Sequence, residues 1–189
     1  MKTGARSKRR RGEWGASAQP ALRLHADQRG AAALEFALIA PMLFALLLAI
    51  TETSLVFFAQ EGLQTALDVA ARKIMTGQAQ NAGMTQAQFQ QAACAALPPY
   101  LTCSNLIVDA QTAASLATVN TSAPTITFDQ TGKVTNSWNY SVGGAGDIVV
   151  LRLLYLWPLP TGPLGFTLND ASGTQKLLIA TSVAKTEPY

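Results

Sequence analysis

Charged side chains are scarce in this chain: Asp, Glu, Lys and Arg make up 13% of its 189 residues, against 49% apolar ones. Typical soluble domains carry about 25% charge, so the balance favours a protein with one lipid-buried segment. Histidine is almost absent. The single one, His25, lies ahead of any segment with folding periodicity, which removes nucleophile–histidine catalysis from consideration. Folding could unite two of the acids Asp109, Asp129, Asp147 and Asp170, but no spacing singles out a pair for acid–base work. No enzymatic activity is expected. Only two cysteines are present, Cys94 and Cys103, with eight residues between them. The spacing matches no C-x2-C zinc motif and no second pair exists, so neither a metal nor another cofactor is expected. Two readings of the pair stand. A disulfide requires an oxidising compartment and would stabilise the domain by about 2–3 kcal/mol; the other reading is two free thiols.

The charge that is there is unevenly placed. The net +3 and the pI near 9.0 come from residues 1–30, which hold eight of the 14 basic residues and carry +6. Residues 31–189 carry −3. A basic run without a folded partner is poor ground for nucleic-acid binding. It suits a cytoplasmic retention signal placed before a membrane segment, and such a leader is expected to be disordered.

That segment follows at once. Phe36–Ile50 contains no polar side chain, and Ala31–Ala59 reads as one apolar helix. The 15-residue apolar core covers about 22 Å, and a bilayer needs about 20 residues. The span therefore borrows Thr51–Phe58, which brings in Glu52. Beyond it the helix continues: Leu63, Leu67, Ala70, Ala71 and Ile74 recur at helical spacing between polar residues, up to a stop at Gly77. Pro41 is expected to kink the rod. Residues 78–85 read as a linker, and Thr85–Leu97 as a short helix capped by Thr85 and ended by Pro98 and Pro99.

After Cys103 the pattern turns to strands. Asn105–Ala110, Thr125–Phe128, Asp147–Trp157 and Lys176–Lys185 are candidates, about four in all. The third is apolar on both faces, as a central strand would be. Gly143–Gly146 reads as a turn; it lacks the Lys-Ser/Thr of a phosphate loop. Trp138, Tyr140, Tyr155 and Trp157 read as core or edge aromatics rather than a ligand platform. Phe57 and Phe58 fit interfacial anchors. The predicted fold class is α+β: a long transmembrane helix extending into an amphipathic one, a short helix and a small antiparallel sheet.

Three readings compete for the N-terminal half. A cleaved secretory signal expects a small-residue site just past the apolar run, where Thr51-Glu52-Thr53 stands instead. A plain single-pass anchor fits hydropathy and charge but gives Glu35 no role. The third starts from Arg29-Gly30-Ala31-Ala32-Ala33-Leu34-Glu35-Phe36, which resembles the processing site of type IV prepilins. In that family a prepilin peptidase cuts after a glycine, and a glutamate stands fifth in the new chain. Here the cut would follow Gly30, Ala31 would be the new N-terminus, and Glu35 would be fifth. A carboxylate near lipid costs about 2.5–3.5 kcal/mol. A neighbouring subunit's new α-amine would neutralise it and help set axial stagger. The competing reading is an acid in the helix's first turn, favoured there by the helix dipole.

The resemblance narrows further. Arg29-Gly30, Ala33-Leu34-Glu35-Phe36-Ala37, Pro41, Glu52, Leu63-Gln64-Thr65-Ala66 and Ala70-Ala71-Arg72 are similar to the signature region of TadE-like proteins. These are pseudopilins of tight-adherence (Flp-type) pilus systems. The similarity is strong over about residues 29–77 and loose beyond.

The resemblance implies a minor pilin-like subunit acting in pilus assembly, hence in adhesion and biofilm formation. Its partners would be the prepilin peptidase, other pilin-like subunits, the inner-membrane assembly platform and membrane lipid, and no nucleic acid. Residues 1–30 would be a cytoplasmic leader, 31–59 a transmembrane helix in the bacterial inner membrane, 60–77 its extension, and 78–189 a periplasmic domain. For Glu52 two readings stand: a solvated acid just past the bilayer, or one that pairs with a cationic or polar partner in an assembly. Two rivals remain for the whole: a periplasmic binding domain on an uncleaved anchor, and a small secreted enzyme released near residue 50.

Overall fold

The structure, a computed structural model, describes residues 30–130, 133–159, 165–169 and 174–188. The predicted leader up to residue 29, and Asp170, lie outside them. The fold is α+β. Helix α1 runs Ala31–Met75 without interruption, 45 residues that include Pro41. Leu, Ala, Met and Phe dominate its first half, and no glycine occurs between Gly30 and Gly62. Proline at 41 removes only the bond to the carbonyl one turn earlier. Gly77 ends the rod, with φ 71° in the left-handed region that glycine adopts without strain, and its N–H donates to Ile74 O at 3.1 Å.

The chain divides between Phe44 and Ala45 into two compact units. In the first, helix side chains point outward: Leu34, Phe36, Leu38, Ile39 and Met42 are all exposed. In the second, α1 carries a buried stripe of Val56, Ala59, Leu63, Ala66, Leu67, Ala70 and Ile74. The three- and four-residue spacing puts these on one face. That face packs on a three-stranded antiparallel sheet in the order β1-β2-β3.

Strand β1 is Leu106–Ala113, β2 is Ile148–Pro158 and β3 is Gln175–Lys185. Their register pairs Asp109 with Arg152 and Leu154 with Ile179. Strand β2 is central, and Val149, Leu151, Leu153 and Tyr155 alternate into the shared core with α1. The alternate residues Val150, Arg152, Leu154 and Leu156 are buried on the other face. Burial on both faces explains the near-continuous apolar run of this strand.

Two short helices follow α1 and add Ala79, Phe89 and Ala93 to the same core. Residues 78–85, expected as a linker, contain the four-residue helix α2, Gln78–Asn81. Gln80 Nε2 there donates to Ile74 O at 3.2 Å and to Val142 O at 2.7 Å. Helix α3 is Gln86–Cys94, with Thr85 as N-cap in a reciprocal capping box with Gln88. It buries Phe89 and Ala93.

Thr125–Phe128, expected as a strand, does not form one. It makes a single isolated bridge, Phe128 to Val134. Thr125 and Thr127 are exposed, and local partners satisfy the backbone: Asn136 Oδ1 accepts from Thr127 N at 2.7 Å, and Thr127 O accepts from Thr135 N at 2.9 Å. Its apolar residues Ile126 and Phe128 are only half-buried, and these local bonds take the place of a sheet ladder.

Close packing leaves Gly62 no room for a side chain. A Cβ there would lie 2.7 Å from Pro98 Cγ and 3.0 Å from Tyr100 Oη. A proline ring cannot swing aside as a flexible chain end could. We expect Gly62→Val to destabilise the domain by about 1–3 kcal/mol through overpacking, read as a lower urea midpoint of the detergent-solubilised chain at unchanged slope.

Candidate functional site

Gly30 precedes the first residue of α1, Ala31. It is exposed, a Cβ built on it would meet nothing within 4 Å, and its φ is not positive. Nothing in the fold therefore requires glycine at position 30. Because α1 starts at Ala31, Glu35 is its fifth residue, and the first turn holds no acid. The expected first-turn placement is thus corrected by one residue, which takes the carboxylate past the orphan N–H groups and weakens the dipole reading. Glu35 is exposed and has no hydrogen bond or ion pair among the described residues.

Glu52 is placed differently. It lies one turn before Val56 and seven residues before Ala59, on the stripe that faces the sheet domain. It is half-buried, and its Oε1 is covered with no hydrogen-bond partner among the described residues. Its polar neighbours need no outside partner. Thr51, Thr53 and Ser54 donate their hydroxyls to Leu47, Ala49 and Ile50 carbonyls, each at 2.8 Å. Such back-bonding closes a hydroxyl on its own helix. The polar interruption in the apolar run thus shrinks to one carboxyl group, turned from the helix's outer faces.

Cys94 and Cys103 form a disulfide, with Cα atoms 5.5 Å apart. It joins the end of α3 to the 3-10 turn Cys103–Asn105 that leads into β1. No group of three or more His, Cys, Asp or Glu side chains that could hold a metal exists among the described residues.

The strongest polar cluster went unread in the sequence. Arg152 Nη1 donates to Asp109 Oδ2 at 2.9 Å, and both side chains are almost wholly buried. Asp109 also accepts from Asn139 N at 3.1 Å and from Gln111 Nε2, and Arg152 Nη2 donates to Asn120 O. Among the described residues Arg152 Nε has no hydrogen-bond partner. The pair clasps the long β1–β2 connection, through Asn120 and Asn139, to the sheet face turned away from α1. A signal was available: each strand run, Leu-Ile-Val-Asp-Ala and Val-Leu-Arg-Leu-Leu, contains one charge, and the two are opposite. Beside the clasp, Tyr140 is packed on Phe89 with ring centroids 5.7 Å apart. Burial pushes its hydroxyl up from the usual tyrosine range, so it stays neutral at physiological pH.

These features define a class: a chain whose one long apolar helix continues as the core helix of a small α+β domain. Residues 30–72 match the family model described as TadE-like protein; the match begins on Gly30 and ends three residues before the end of α1. No curated protein and no solved structure matches the chain.

The clasp yields a double-mutant expectation. Arg152→Met alone leaves Asp109 buried and uncompensated and should cost about 3–5 kcal/mol. Combining it with Asp109→Asn, which keeps the acceptor for Asn139 N, should recover most of that loss. Urea unfolding of the four variants measures the coupling; additive losses would show that the two charges do not depend on each other.

Proposed function

We propose that this protein is a minor pilin-like subunit that takes part in assembling a tight-adherence type pilus, and so in adhesion and biofilm formation. Its role is structural rather than catalytic. The observation that carries the reading is the coincidence at the start of α1: the TadE-like match and the helix begin together at Gly30 and Ala31. There the fold makes no demand for glycine. A glycine without a folding reason is accounted for by a peptidase that reads it.

Cleavage between Gly30 and Ala31 gives a chain that opens on the helix and carries Glu35 fifth. The exposed, unpartnered Glu35 then pairs with the α-amine of a neighbouring pilin-like subunit in the membrane. Helix α1 crosses the inner membrane with its basic leader in the cytoplasm and the sheet domain in the periplasm. One 45-residue helix of adequate length and apolarity supports this, as does the basic flank on one side. The disulfide fits the oxidising side. Partners are the prepilin peptidase, other pilin-like subunits and the inner-membrane assembly platform.

Intact-mass and N-terminal analysis of the protein from its own membranes tests the reading, with and without the peptidase. The expected result is a mature chain starting at Ala31 that disappears when the peptidase is absent, and a Gly30→Leu variant that stays full-length. An uncleaved chain under both conditions would leave a plain anchored domain.

A further inference from the structure

The register of the sheet against α1 fixes how deep the domain reaches along the helix. Gln60 Nε2 donates to Ile179 O at 2.9 Å. In the other direction, Ser182 and Ala184 lie beside Ala71 and Ile74, and Glu187 N donates to Met75 O at 2.9 Å. Strand β3 therefore runs along α1, and its start lies toward the apolar half of the helix. Ile179 pairs with Leu154, and Lys176 with Trp157. Three residues of strand are about 10 Å; that is the rise of about six or seven helical residues. The Trp157–Lys176 end of the sheet is thus level with Thr53 or Ser54, past Phe58 and about one turn short of the end of the apolar run at Ile50.

The Gly165–Asn169 segment occupies that level. Phe166 lines a groove of about 360 Å³ together with Ala49, Ile50, Thr53, Ser54 and Phe57. Lys176 Nζ donates to Leu168 O at 3.3 Å, tying the segment to β3. Between Arg152 and Asp170 the sequence has no charged side chain.

We infer that this segment, led by Phe166, is a second membrane contact: it dips beside α1 into the outer edge of the bilayer, and lipid acyl chains fill the groove. The inference rests on the reading that α1 spans a membrane. Given that reading, continuity names the occupant. On the same turns of helix Leu47, Leu48, Leu55, Phe57 and Phe58 are exposed, the last two by 67% and 66%. A bilayer that covers them covers the groove they border. An uncharged, aromatic-led segment suits that depth, where amphipathic and aromatic side chains concentrate. Nearby, exposed Tyr100 donates its hydroxyl to Phe58 O at 3.1 Å, at the same boundary. The consequence is orientational. A lone helix leaves its domain free to roll about the helix axis; a second lipid contact off that axis holds one side of the domain to the membrane.

The test uses the full chain, disulfide intact, in phosphatidylcholine vesicles. Single cysteines at Thr167→Cys, Leu47→Cys or Ser122→Cys carry an environment-sensitive fluorophore. Thr167 and Ser122 are exposed, so labelling at 167 leaves Phe166 in place. Lipids brominated near the carboxyl end of their acyl chains act as quenchers. The expected result is several-fold stronger quenching at 167 than at 122, with 47 also quenched. Quenching at 47 with none at 167 would overturn the inference and leave the spanning helix standing. No quenching at 47 would overturn the spanning reading itself. Fluorophore self-quenching at 167 that grows with protein density, without lipid quenching, would give the groove to a second copy of the chain and overturn the lipid assignment.

Discussion

The contact between the Val56–Ile74 stripe of α1 and the inner face of β2 organises everything else in the described structure. Leu63 and Leu67 on the helix, and Leu151, Leu153 and Tyr155 on the strand, are essentially without solvent access. Removing apolar surface of this kind is the main force available to a small domain. The described sheet is a single layer of three strands, and a single layer buries a face only against a partner element. The helix is therefore no tether that could be trimmed away; its second half is half of the core. Along its first half the same element exposes leucine and phenylalanine on nearly every side. A cut at Gly30 is compatible with this division, because it falls well before the first core residue, Val56.

Several covered polar groups are closed locally, with Glu52 Oε1 and Arg152 Nε among the exceptions in the described residues. The free edge of β1 is occupied: Gln90 and Gln86 of α3 donate to Leu106 O and Val108 O, and Ala110 is bonded on both sides by the 139–141 segment. Such blocking keeps an edge strand from pairing with foreign chains. The Arg152–Asp109 clasp does comparable work on the outer face, holding the Ser/Thr/Asn-rich β1–β2 connection down over β2. Buried pairs of this sort add little net stability but are costly to break singly, so they specify one arrangement of the loop above them.

Much of this was legible in the sequence, where it depended on local periodicity and end signals. The single rod from Ala31, its stop at Gly77, the Thr85 cap and the central place of the Ile148–Pro158 run follow from helical spacing, a left-handed glycine, a capping box and a two-faced apolar strand. What was not legible depended on tertiary partners. Thr125–Phe128 has strand-forming residues, but its backbone is bonded locally to the 133–136 segment instead of to the sheet. Asp109 looked like one of several unremarkable acids until the register set it opposite Arg152. Glu35 falls just outside the first turn because, in a helix that starts at Ala31, it is the fifth residue. Phe166 carried no motif at all; only the run of β3 along α1 reveals its depth.

The central claim is that one continuous helix serves two environments, lipid along its first half and the protein core along its Val56–Ile74 stripe. Single-cysteine scanning across residues 45–75 in native membranes, with a membrane-impermeant maleimide, tests this most directly. The account predicts no reaction at any position up to about Leu55. From Glu61 onward it predicts a helical rhythm, with Glu61, Thr65, Asp68 and Arg72 reacting and Leu63, Ala66, Ala70 and Ile74 protected. Ready labelling at Leu47 or Leu55, or labelling beyond Glu61 without that rhythm, would contradict it.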